Sequence, residues 1–500
     1  MNGKVDIVII GSGIGGATMA AQLAPTGQSI VILERGERLE DTPDSRNARA
    51  IFADGVYRPE ENWLDGEGHP FNPGNYYCVG GNTKFYGAVL IRYRREDFGE
   101  VRHIGGISPA WPLTYEEMEP WYQAAENMYG VCGDAGQDPT EPGHSAAYPY
   151  PPVPDEPDIA DLRQRLLKAG VTPSCLPLAV DLERWLKRAP TPWDAFPDTN
   201  GGKRDAESVG LAKALPYPNV RLITGAEVSH LETDTDGRVS GVCYVKDDTK
   251  YRLAPRTVVL SAGAVNSAVI LLRSANENYP NGLANSSDML GRHFMNHNCS
   301  AILAIHPLRR NRAVYQKTIQ FNDFYRSGGP GNAPLGNAQL LGKISGEILS
   351  AQSALPRPLA GWIASHSVDW YVMSEDLPNP ESRVSIKGRH IQLDWKRSNW
   401  DTHTTLVAKV TKVLKRAGYP FIISRAFDRR TPSHQCGTAK FGKDPKRSVL
   451  DLFCRSHDHD NLFVVDASFL PTSAAVNPAL TIAAQALRAA NHIIEKDLAA

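Results

Sequence analysis

The sequence predicts an α/β protein of two cooperating domains, the first of them a Rossmann-type dinucleotide-binding unit. Three observations predict it. A strand, a glycine turn, a helix and a second strand are completed by residue 34. The turn has the spacing Gly11-x-Gly13-x-x-Gly16, and the second strand ends at an acid, Glu34. The chain has 500 residues, whereas a single core stops growing at roughly 250–300 residues.

The elements follow in order. Val5 to Ile10 is a short apolar, β-branched run, as a strand buried on both faces requires. Ala17 to Ala24 reads as a small-residue helix and Ser29 to Leu33 as the next strand. Thr114 and Glu117 form a T-x-x-E capping box behind Pro112, which predicts a helix over 114–130. Seven prolines between 139 and 157 forbid helix or central strand there and predict a loop or lid-like excursion. Strands are expected over 219–231 and 257–262, a hairpin over 383–395 around Gly388, a strand over 461–466, and a long helix from Pro478 to the end.

Composition narrows the function classes. There are 54 basic and 55 acidic side chains, a net charge of −1, with no sustained basic run. Binding to nucleic acid or to a membrane surface by bulk charge is therefore not expected. No stretch of 18 apolar residues exists, so no membrane span is expected. Seven scattered cysteines with no CxxC pair, and an N-terminal apolar run too short for a secretory leader, predict a cytoplasmic chain with free thiols.

Four motifs carry chemistry. In the first, Gly11 permits the tight turn, Gly13 lets a pyrophosphate approach, and Gly16 lets the helix pack on the strand. Ile14 and Gly15 open the helix, whose N-terminal N–H groups attract phosphate. Glu34, with Arg35 beside it, stands where an acid would bind an adenosine ribose, and would repel a 2′-phosphate. The motif does not distinguish FAD from NAD. The second is the loop Cys78 to Ala88, where Gly81, Asn82, Thr83, Tyr86, Gly87 and Ala88 suit a backbone lying along a flat ligand; a glycine-rich surface loop would read the same way. The third is Ser433-His434-Gln435-Cys436-Gly437, in which His434 is either a proton acceptor near neutrality or a structural loop histidine. The fourth pairs Val464-Val465-Asp466-Ala467 with Val476-Asn477-Pro478, where Asn477 would cap a helix starting at Pro478. The spacing His293-x-x-x-His297 lacks a HExxH glutamate, so no metal is expected there. His457-Asp458-His459-Asp460 reads as a solvated turn.

Together the motifs resemble the glucose–methanol–choline family of FAD-dependent alcohol oxidoreductases along nearly the whole chain. Trp111 to Tyr115 is similar to the sugar and polyol branches, including the pyranose-oxidase-like bacterial one. The resemblance implies an FAD-binding Rossmann domain over 1–140, 205–300 and 430–500, interleaved with an α+β substrate domain on an antiparallel sheet over 141–204 and 301–429. It implies His434 as the base that takes the hydroxyl proton while hydride passes to flavin N5, with Asn477 orienting the substrate oxygen. It implies that Asp466 and Ala467 hold the flavin's pyrophosphate and ribityl region, that Ala262, Asn477 and Pro478 bind the cofactor, and that Val228 lies on the strand whose backbone meets adenine. The family's Ser/Thr-Pro is missing after Gly263. No histidine stands in the glycine loop near Phe85, so the FAD is expected to be non-covalent. The implied substrate is a sugar, glycoside or polyol, with Trp362, Trp370, Tyr371 and Trp395 as either stacking or core residues, and the implied acceptor is oxygen or a quinone. The alternatives are an NAD-dependent dehydrogenase and a flavin-binding protein without turnover. Oligomeric state is not readable from the sequence.

Overall fold

The computed structural model describes residues 3–431 and 434–498. The first sheet runs in the order Val220–Ile223, Ile30–Leu33, Gly3–Ile10, Thr249–Leu260, Val239–Lys246, Glu227–Thr233, and Leu462–Val464 also pairs with the end of Thr249–Leu260. Its parallel strands end on one row: Ile10 pairs Leu33 and Leu260, Leu33 pairs Ile223, and Leu260 pairs Val464. Ile7, Val8 and Ile9 are fully buried, as in a strand packed on both faces. The crevice beyond such a row of carboxyl ends is where open α/β sheets bind ligands.

The second sheet is antiparallel, in the order Phe421–Ala426, Asn298–Ile305, Ser367–Ser374, Asn337–Leu340, Ile319–Phe321, Ser174–Cys175. Strand alternation gives it two unlike faces. Ile302, Ala338, Leu340, Val368, Trp370 and Val372 pack in one core with Leu406, Val410 and Val413 of the helix Trp400–Arg416. Gln320, Asn337, Gln339, Tyr371 and Met373 occupy the alternate positions and so point the other way. The fold is thus the mixed α/β architecture that the sequence predicts.

The capping box forms, with Thr114 Oγ1 accepting from Glu117 N ahead of the helix Tyr115–Tyr129. The hairpin pairs Val384 with Leu393 and Ile386 with Ile391. The stretch 139–156 holds neither helix nor strand, the helix Pro157–Lys168 beginning on the last of its prolines, and it is tied down: Ser145 N donates to Glu119 and Ala146 N to Gln123. The expected strand over 219–231 is two strands, broken at Gly225, whose φ of 62° turns the chain. Among the described residues no helix is long and apolar enough to cross a membrane. All seven cysteines are free.

Candidate active site

The glycine turn is closed on three sides and open on one. A Cβ at Gly11 would stand 2.3 Å from the Ser261 carbonyl oxygen, one at Gly15 2.0 Å from that of Val465, and one at Gly16 2.1 Å from that of Gly11. At Gly13 a Cβ would meet nothing within 4 Å. Gly13 precedes the helix Ile14–Leu23, which has no side-chain cap and no acid in its first turn. Uncapped N–H groups beside an open glycine face are the cradle that a diphosphate needs, so these residues fit a bound dinucleotide.

Glu34 is buried at the end of this cradle. Its carboxylate accepts from Ser12 N at 3.0 Å, Ser12 Oγ at 2.6 Å and Gly36 N at 2.9 Å. Burial raises its pKa, against the hydrogen bonds that lower it. Arg35 stacks on Tyr77 at 4.2 Å, with Glu61 and Glu227 each 3.6 Å away. Ala226 N donates to Glu34 O, which carries buried Val228 toward the same corner.

The second glycine loop closes on the first. Gly80 N donates to Ser12 Oγ at 3.0 Å, and the Cβ position of Gly81 lies 3.4 Å from the Gly13 Cα. Asn82 Oδ1 accepts from Tyr76 N, Thr83 Oγ1 donates to Gly80 O, and Tyr86 donates to Arg204 O. At Gly87 a Cβ would strike Lys317 and Asp194, a buried ion pair of 2.7 Å, and Ala88 adopts φ 58°. The Asp466 carboxylate is spent on protein donors: Gly263 N at 3.0 Å, Ser267 Oγ at 2.5 Å and Ser468 N at 2.8 Å. It fixes the turn after Ala262 and leaves Ala467 beside it.

The third and fourth motifs meet. His434 Nε2 lies 3.2 Å from Asn477 Nδ2, and His434 Nδ1 lies 2.9 Å from the Nδ1 of His297. The backbone pairing of Met295 with Cys436 is antiparallel, so two residues further along in opposite directions 297 and 434 come face to face. His434 holds a left-handed backbone, φ 66°, a strained conformation of the kind that collects at functional sites. Gln339 donates from Nε2 to Asn477 Oδ1 at 2.9 Å and to Asn337 Oδ1 at 2.8 Å. Asn337 continues to Gln320 and Asn322, forming a row of buried carboxamides. The Oε1 of Gln339 is buried without a partner.

Electrostatics keep the pair neutral. Burial, then the neighbouring His297 and Lys317, hold His434 well below the usual imidazole range. Burial pushes His297 down to about 4. A neutral imidazole keeps one unprotonated ring nitrogen, which can accept a proton.

Several readings change. Asn477 does not cap the last helix; Pro478 takes the cap position before Ala479–Ile493, and the Asn477 side chain turns to His434 and Gln339 instead. His459 is not in a solvated turn: it is buried, accepting from Ala284 N and facing Gly237 O. Trp370 is core and Trp395 bonds Asp376, while Trp362 is exposed; only Tyr371 of the four lies on the carboxamide face. Ser433 lies outside the described residues. Sequence reasoning missed His297 and Gln339. The alternation of amides at 337 and 339 between apolar neighbours was a usable signal for Gln339. Nothing local marks His297.

Comparison with known proteins gives a consistent result. A family model described as GMC oxidoreductase matches residues 378–486, and one described as FAD dependent oxidoreductase matches 6–281. The chain is 30% identical to 6'''-hydroxyparomomycin C oxidase of Streptomyces lividus, over 98% of this chain and 91% of that protein. It is 27% identical to the fructose dehydrogenase large subunit of Gluconobacter japonicus, over 98% of each. The crystal structure of pyridoxine 4-oxidase from Mesorbium loti superposes with a TM-score of 0.68 at 19% identity, over 98% of this chain and 99% of that one.

Proposed function

The chain belongs to the GMC oxidoreductase family, FAD-dependent enzymes that oxidise alcohols, and from that premise we propose that it oxidises a hydroxyl group of a sugar, aminoglycoside or polyol with His434 as base and Asn477 as orienting donor. The observation that carries this reading is the 3.2 Å pairing of His434 Nε2 with Asn477 Nδ2. One substrate oxygen seated between them receives a hydrogen bond from the amide and loses its proton to the imidazole.

Bound FAD supplies the acceptor for the hydride that leaves the alcohol carbon. Gly13, the first turn of the Ile14–Leu23 helix and Glu34 would hold its adenosine diphosphate end, and the Gly80–Ala88 loop its flat end. Gln339 fixes the Asn477 amide, since its Nε2 can only donate and therefore turns Oδ1 toward itself and Nδ2 toward His434. At the near end of the carboxamide row the Oε1 of Gln339, buried without a protein partner, offers an acceptor for a further substrate hydroxyl. The names of the relatives support the same substrate class.

We divide the chain into the cofactor segments 1–140, 205–300 and 430–500 and the substrate segments 141–204 and 301–429. The Rossmann sheet draws on 3–33, 220–260 and 462–464, which supports the division. Non-covalent FAD is proposed because the glycine loop offers no histidine, and a cytoplasmic site because every cysteine is free. Oxygen or a quinone-type acceptor completes the cycle.

The test is an anaerobic screen of sugars, aminoglycosides, polyols and aromatic alcohols for bleaching of the bound flavin, followed by reoxidation with oxygen or a quinone dye. His434→Ala should keep FAD and lose on the order of 100–10,000-fold in the rate of bleaching. Bleaching at the normal rate in that variant refutes the assignment.

A further inference from the structure

We propose that His297 is a positioning residue that holds His434 in one tautomer, with Nδ1 protonated and Nε2 bare. The proposal rests on the reading of His434 as the base and adds what makes it one. A string of hydrogen bonds runs through the site, and its direction is set at one end. His297 Nε2 lies 2.8 Å from Ser473 O and 2.9 Å from Ala474 O. Carbonyl oxygens only accept, so this nitrogen carries the proton. A neutral imidazole then has a bare Nδ1, and His297 is kept neutral by burial.

That bare Nδ1 faces His434 Nδ1 at 2.9 Å. Two bare nitrogens would repel at this distance, so His434 donates and its own proton sits on Nδ1. Its Nε2 is thereby left as an acceptor, and it faces Asn477 Nδ2, a donor, at 3.2 Å. The string ends at Gln339, which donates to Asn477 Oδ1. Reversing any member would set His297 Nε2 as a lone pair against two carbonyls. Both anchoring carbonyls belong to the stretch that leads into Asn477, so the same chain segment sets the base and places its partner.

The spacing His293-x-x-x-His297 takes no metal here, because His293 Nε2 lies 3.2 Å from the Lys440 ammonium and His297 is committed on both nitrogens. A purely structural role would be to satisfy the two carbonyls. The two roles separate by substitution. Asn at 297 places an acceptor oxygen where Nδ1 stood but does not reach the carbonyls. Gln reaches the carbonyls with its amide nitrogen but leaves no acceptor at the Nδ1 position.

The experiment uses the full-length, FAD-loaded protein labelled with 15N-histidine, the His434 signals being identified by their loss in His434→Ala. In the parent and in His297→Asn, the Nδ1 of His434 should carry the proton and Nε2 should be bare. In His297→Gln the two tautomers should mix. With the alcohol that bleaches fastest in the screen above, His297→Asn should stay within about tenfold of the parent. His297→Gln should lose about 100-fold in kcat, the low end for loss of a general base, with KM little changed. A parent His434 protonated on Nε2 overturns the proposal. So does His297→Gln with an unaltered tautomer, or His297→Asn impaired as deeply as His297→Gln. If either variant fails to fold, the parent spectrum alone decides. Full activity of His434→Ala would refute the base and leave the tautomer result standing.

Discussion

At the scale of a residue, His434, the proposed base, shows what burial does to an imidazole. It must be neutral to accept a proton, and its charged form is disfavoured by burial and by His297 and Lys317. The folded pKa therefore lies below the 6.5 of a free imidazole, and the neutral form persists as pH falls through that value. The rate of flavin reduction by alcohol should stay level down to about pH 6.5 and fall only below it. An acid limb centred at or above that value would contradict the burial argument. Gln339 makes a second prediction at this scale. Replacing it with Leu frees the Asn477 amide to turn its oxygen toward His434. Alcohol-dependent reduction should slow by about tenfold, roughly one hydrogen bond's worth, while the flavin spectrum is unchanged. His434 was legible because its motif is short and local. His297 was not, because its role exists only where the 295–436 backbone pairing brings two distant segments face to face.

At the scale of an element, the glycine turn separates packing from binding. Gly15 is pressed against the Val465 carbonyl, so Gly15→Ala should lower the stability of the FAD-free protein by about 1–3 kcal/mol, read as a drop in thermal midpoint. Gly13 has an ordinary φ of −66° and open space where a Cβ would go. Gly13→Ala should leave the FAD-free midpoint unchanged yet weaken FAD at least about tenfold in a titration, since the methyl group fills the diphosphate's place. Equal effects of the two substitutions would mean that the open face holds no ligand. The first strand, its helix and the second strand were legible because hydrophobic runs and glycine spacing are local. The last helix was read one residue early, because cap preference alone does not register that the Asn477 side chain has partners across the site.

At the scale of the molecule, the proposed cofactor contacts come from residues 11–16, 34, 80–88, 262–263 and 466–478, segments far apart in sequence. A ligand that binds only this assembled arrangement stabilises it by mass action. FAD at 100 times its dissociation constant should add about 2.7 kcal/mol and raise the thermal midpoint of the stripped protein. A midpoint indifferent to FAD would mean that the segments do not form one site. The second sheet was the least legible part. Its strands alternate between apolar and amide residues, and which face is left to the amides is decided by the helix Trp400–Arg416 claiming the apolar side.

The sequence by itself determined the dinucleotide turn, the family and the two residues proposed as base and orienting donor, because each is written in a short run with fixed spacing. The tertiary structure alone decided which groups face the two ring nitrogens of His434, what holds Asn477 and which sheet face carries the carboxamides. Those depend on hydrogen-bond direction between segments separated by more than a hundred residues, and no local pattern encodes a partner that only folding supplies.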